Sequence, residues 1–122
     1  MFSDAVLDHF RNPRNAGELA NADATVEVSN PVCGDVLQLA VRIENGRIIE
    51  SRFLCRGCTT SIACASLLTE RLRGHTPSEI RAISAASLSQ ALGDLPAATY
   101  HGAELAADSV KALLQKLARP HH

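Results

Sequence analysis

The stretch Phe53 to Glu70, FLCRGCTTSIACASLLTE, gathers three of the chain's four cysteines, Cys55, Cys58 and Cys64. It reads as the end of a strand, a turn through Gly57, and a helix that begins near Cys58. The fourth cysteine, Cys33, lies in Pro31-Val32-Cys33-Gly34-Asp35, a second turn with a carboxylate two residues on. Thiols collected on turns between regular elements are placed to bind metal or sulfur.

The flanking pattern says what holds those turns. Val26 and Val28 begin an alternation that Asn30-Pro31 interrupts. It resumes from Val36 to Ile43, with Leu37, Leu39, Val41 and Ile43 on one face and Gln38 and Arg42 opposite. Asn45-Gly46 is a two-residue hairpin signal, because both residues tolerate the positive φ such a turn requires. Ile48 to Leu54 is the return strand. A small antiparallel sheet of about three strands follows, with both cysteine turns at strand ends.

Helices account for the rest. Ser3-Asp4 opens a helix with Phe2, Val6 and Phe10 at fourfold spacing on one face, and Asn12-Pro13 closes it. His9 reads as a partly exposed residue of that helix, and residues 14–23 as a polar connection. The helix from about Thr59 to Arg73 places Cys64, Leu68 and Leu72 on one apolar stripe and stops at Gly74. Thr76-Pro77-Ser78-Glu79 is a capping-box pattern that opens a short helix through Ile80 and Ile83. Another short helix spans Leu88 to Leu92. A last helix runs from about Gly102 to Arg119, with Ala106, Val110, Leu113, Leu114 and Leu117 as its buried face. His75 reads as solvated, and Pro120-His121-His122 as a tail.

Composition narrows the function classes. At 122 residues, one domain over 1–122 is expected to bury about 65–70% of its unfolded surface without disulfides. A net charge of −1 and 3% aromatic residues leave no footprint for nucleic acid and no base-stacking platform. The N-terminus has no secretory pattern, and no apolar run approaches the roughly 18 residues that span a bilayer. A cytoplasmic chain with no membrane contact is expected. In that compartment four cysteines are ligands, nucleophiles or small core residues rather than disulfides.

Cys33, Cys58 and His101 all fall at junctions between elements, and Asp35 shares the Cys33 turn. Cys58 at a helix start meets the positive end of the helix dipole, which suits an anionic ligand. Together the four supply two sulfurs, one nitrogen and one oxygen, a tetrahedral set for zinc. The oxygen holds an iron–sulfur centre less firmly than a thiolate would, so the same set suits a cluster that must leave. Cys64, on the apolar stripe, reads as a buried small hydrophobe. Cys55 carries two readings. Cys55-Arg56-Gly57-Cys58 is a C-x-x-C with a turn glycine, as in metal knuckles, whereas strand parity with Ile49 and Phe53 points Cys55 to the core. A thiol–disulfide enzyme lacks the βαβ context that makes such a motif credible, and no nucleophile–base pair suggests another enzyme.

FSDAVLDHFRNPRNAG, NPVCGDVLQL, Arg56-Gly57-Cys58 with SIACASLLTE, and YHGAELAADSVKALL resemble in succession the IscU/NifU N-terminal-type iron–sulfur cluster scaffolds, over nearly the whole chain. The resemblance implies an α+β fold, three antiparallel strands packed against a layer of helices. It implies a non-enzymatic scaffold or carrier that receives sulfur from a cysteine desulfurase, holds a transient 2Fe-2S cluster or zinc, and serves iron–sulfur recipient proteins. Cys33, Asp35, Cys58 and His101 match family ligands, with Cys55 as a possible extra one.

Three departures accompany the match. The third family cysteine should follow the histidine, and here position 102 is glycine. The segment read by a dedicated Hsp70-type chaperone is eroded to Leu95-Pro96-Ala97-Ala98-Thr99. Cys55 and Cys64 stand where the family has no standard ligand. An alternative therefore stands beside the scaffold: a divergent zinc-binding module that docks on or modulates a desulfurase without building clusters.

Overall fold

The computed structural model describes residues 2–31 and 34–118. Helix α1 spans Asp4–Arg11, strands β1, β2 and β3 span Ala24–Ser29, Val36–Glu44 and Arg47–Arg56, and α2 spans Thr59–Leu72. Two short helices follow, α3 at Pro77–Ile80 and α4 at Ala85–Ala91. A 3-10 turn at Ala97–Thr99 then leads into α5, His101–Ala118. The strands form one antiparallel sheet in the order β1-β2-β3.

The register follows the side-chain alternation. Val28, Leu37 and Cys55 form one cross-strand row, Val26, Leu39 and Phe53 the next, and Ala24, Val41 and Ser51 a third. Leu37, Leu39, Val41 and Phe53 in these rows are buried, because α2 covers β3 and α5 covers β1 and β2 on this face. Asn45 and Gly46 adopt φ of 53° and 78°, the left-handed geometry of a two-residue turn. A register shift between Arg42 and Ile43 then re-seats the hairpin, and Ile48 ends fully buried.

Helix α2 is the centre of the core. Cys64, Leu68 and Leu72 are all 0% exposed, which establishes the stripe read from the sequence. α1 lies on α2, and α5 packs on α2, α4 and the sheet. Local chemistry sets the helix ends. The Ser3 hydroxyl accepts from the Val6 amide, and Thr76 with Glu79 forms a reciprocal capping box.

Several expectations are corrected. Phe2 and Phe10 remain 42% and 38% exposed, so α1 buries Val6 and His9 instead. His9 is drawn inward because its Nδ1 meets the Ser66 hydroxyl of α2 at 2.8 Å. The same hydroxyl accepts the Arg14 amide at 2.8 Å, which ties the 12–16 segment to α2. α3 ends at Ile80, short of Ile83, and Leu114 and Leu117 are half-buried rather than core. Residues 120–122 lie outside the described residues.

Candidate metal centre

Three loop-to-element junctions meet at one end of the sheet. Asp35 immediately precedes β2. The loop that carries it is closed where the Asn30 amide donates to the Asp35 carbonyl at 2.9 Å. Cys58 is the N-cap residue of α2, with extended backbone and no side-chain capping bond, so its thiol is not used up in holding the helix. His101 is the first residue of α5 rather than a residue ahead of it.

These junctions bring donor atoms together. One donor atom each from Asp35, Cys58 and His101 all lie within 4.8 Å of one another. His101 Nε2 is 3.6 Å from Cys58 Sγ and 3.5 Å from Asp35 Oδ2. Asp35 is buried, His101 half-buried and Cys58 exposed. An oxygen, a sulfur and a nitrogen thus converge at a centre reachable from solvent through Cys58. Cys33, the fourth expected ligand, lies outside the described residues.

Two glycines let the groups approach. A β-carbon on Gly57 would stand 2.8 Å from Asp35 Cγ, closer than real contacts allow, so the carboxylate lies in the space where a side chain would be. A β-carbon on Gly102 would stand 3.0 Å from the Ser61 amide nitrogen and 3.1 Å from the Thr60 carbonyl carbon. The first turn of α5 therefore sits directly on the first turn of α2, and this close crossing sets His101 beside Cys58.

Sequence reading missed Ser61. Its side chain is buried, donates to Asp35 Oδ2 at 2.6 Å, and lies 3.4 Å from Cys58 Sγ. The signal was present in the spacing: three residues past Cys58 on a helix is the same face.

The remaining thiols differ in setting. Cys55 packs against the core opposite Leu37 and is not in the trio of donors. Burial, reinforced by the negative charges of Asp35 and Cys58, pushes its thiol up to about 11. Cys64 is fully buried, and burial pushes its thiol up to about 12. Among the described cysteines, Cys58 alone is exposed.

A three-stranded sheet layered with helices, carrying a mixed oxygen, sulfur and nitrogen donor set at one end, defines a small α+β domain suited to metal. Residues 1–121 match the family model of the NifU-like N terminal domain, and the chain belongs to that family. The iron-sulfur cluster assembly scaffold protein IscU 1 of Archaeoglobus fulgidus is 40% identical over 111 residues, covering 91% of this chain and 72% of the relative. The scaffold protein IscU of Escherichia coli (strain K12) is 38% identical over 117 residues, 93% of this chain and 91% of the relative. In fold, the chain matches the crystal structure of a nitrogen-fixing NifU-like protein (N-terminal) from Brucella abortus. That match has a TM-score of 0.74 and 18% identity, and covers 93% of this chain and 92% of the other. No helix among the described residues is long and apolar enough to cross a membrane.

Proposed function

We propose that this chain is a scaffold or carrier on which an iron–sulfur cluster is held transiently before passing to recipient proteins, with Cys33, Asp35, Cys58 and His101 as its ligands. One observation carries the reading: Asp35, Cys58 and His101 converge within 4.8 Å in a chain whose relatives are named as cluster assembly scaffolds. Cluster centres accept imidazole in place of thiolate, so a set with fewer than four cysteines is chemically adequate.

The same donors suit zinc, which takes sulfur, nitrogen and carboxylate oxygen in a tetrahedral site. Protein isolated in air is expected to carry zinc rather than a cluster. Native mass spectrometry checks this, and a protein that stays metal-free after zinc is added would contradict the site.

Sulfur for the cluster comes, on this reading, from the persulfide of a cysteine desulfurase. Cys58 is the acceptor that the exposures favour. Its sulfur attacks the outer sulfur of the donor persulfide and a new S–S bond forms. The donor's S–S bond breaks, and the donor cysteine leaves as a thiol carrying the proton from Cys58. Cys55 and Cys64 are disfavoured because burial holds both as thiols, and the thiolate is the attacking form.

Gly102 favours a second reading. The glycine stands where the family's third cysteine is expected, and a zinc module that docks on a desulfurase without building clusters would not need that thiol. Incubation with a desulfurase and cysteine, followed by peptide mass mapping, separates the two. The scaffold reading expects added sulfur on Cys58 that disappears in Cys58→Ser and persists in Cys64→Ser. Sulfur on none of the thiols moves the chain to the zinc module.

A further inference from the structure

We infer that Ser61 is the positioning residue of this centre, holding the Asp35 carboxylate in register with Cys58 and His101. The inference rests on the metal-binding reading above and adds a residue to it.

Three contacts from one residue carry it. The Ser61 hydroxyl donates to Asp35 Oδ2 at 2.6 Å, a bond across 26 positions of sequence. The same oxygen lies 3.4 Å from Cys58 Sγ. A β-carbon on Gly102 would come nearest to the Ser61 backbone nitrogen, at 3.0 Å, and Gly102 adjoins His101. Ser61 therefore touches two candidate ligands with its side chain and lies at the helix crossing beside the third. At 2% exposed, water has little room to replace its hydroxyl.

The arrangement has a chemical consequence. A serine in the first turn of a helix commonly bonds to nearby backbone. Here the hydroxyl donates to a carboxylate that also lies 3.5 Å from His101 Nε2. The Ser61 bond and the approach of His101 Nε2 both fall on Asp35 Oδ2. The missing side chain at Gly57 leaves room for this carboxylate, since a β-carbon there would stand 2.8 Å from Asp35 Cγ. A carboxylate held this way binds metal without first having to be ordered, and outer partners of this kind are typically worth about 10- to 100-fold in metal affinity.

The test measures zinc and cobalt(II) affinity by chelator competition in the wild type, Ser61→Ala, Asp35→Ala and the double variant, with cobalt(II) visible bands as a second readout. Folding of each apo form is followed by circular dichroism and melting. We expect Ser61→Ala to melt cooperatively, to lose about tenfold or more in affinity and to show altered cobalt bands. In the Asp35→Ala background the same change should cost little further, since coupled residues are non-additive. Ser61→Thr, which keeps the hydroxyl, should restore most of the affinity. Wild-type affinity in Ser61→Ala, or an equal loss with and without Asp35, overturns the positioning role while leaving the metal site standing. A wild type that binds neither metal overturns both. Independently of any variant, the Ser61 hydroxyl proton should be protected and visible by NMR in zinc-loaded wild type. Its disappearance on loading would show that Ser61 releases Asp35, against the inference.

Discussion

Gly57 and Gly102 shape the centre by what they lack. At Gly57 the missing side chain admits Asp35, and at Gly102 it admits the first turn of α2. In Gly102→Cys the new β-carbon would meet Ser61 and Thr60 backbone at 3.0–3.1 Å, so the first turns of α5 and α2 must give by a few tenths of an ångström before the thiol can offer a ligand. Overpacking of this kind typically costs about 1–3 kcal/mol. We expect Gly102→Ala to lose stability in that range by chemical denaturation and to weaken zinc binding by moving His101 away from Cys58. A Gly102→Ala protein as stable and as tight-binding as wild type would show that the crossing has slack. Cys64→Ser should cost about 1–3 kcal/mol if its hydroxyl finds no partner, with zinc binding unchanged. Loss of zinc in a folded Cys64→Ser protein would reassign that thiol. Cys64 was legible from sequence because helical period alone places it on one buried stripe with Leu68 and Leu72. The closeness of Gly57 to Asp35 was not, since it brings together the residue ahead of β2 and the turn after β3.

At the scale of elements, the α1–α2 interface carries a pH dependence. Burial lowers the affinity of His9 for a proton, the positive charge of Arg14 adds to the effect, and Glu70 and Asp8 oppose it. A histidine whose pKa is lowered on folding from its ordinary 6.5 binds fewer protons folded than unfolded in the window just below that value. Its contribution to stability is therefore complete above about pH 6.5 and is lost as pH falls through the lowered value. Melting temperature should drop as pH falls below 6.5, and His9→Gln should flatten that slope; an identical slope in His9→Gln would place the titration elsewhere. Element ends were largely legible, because caps, the Asn-Gly turn and proline act through neighbours in sequence. The buried face of α1 was not. Phe2, Val6 and Phe10 share a helical spacing, yet His9 goes inside because Ser66, 57 positions away, waits to bond it.

Across the whole molecule, the small antiparallel sheet was readable from the alternation and the Asn-Gly turn, whereas the layer of helices against it was expected from the family resemblance. Convergence of the site was readable only in part. Residue types at junctions suggested Cys33, Asp35, Cys58 and His101, whereas the 4.8 Å grouping of three of them comes from α5 returning to the start of α2. The most direct measurement is anaerobic reconstitution with ferrous iron and sulfide, read by visible absorption and by iron and acid-labile sulfide content. A cluster scaffold predicts a 2Fe-2S spectrum in wild type and in Cys64→Ser, and its loss in Cys58→Ser. A folded wild type that retains zinc but never acquires iron and sulfide together would contradict it.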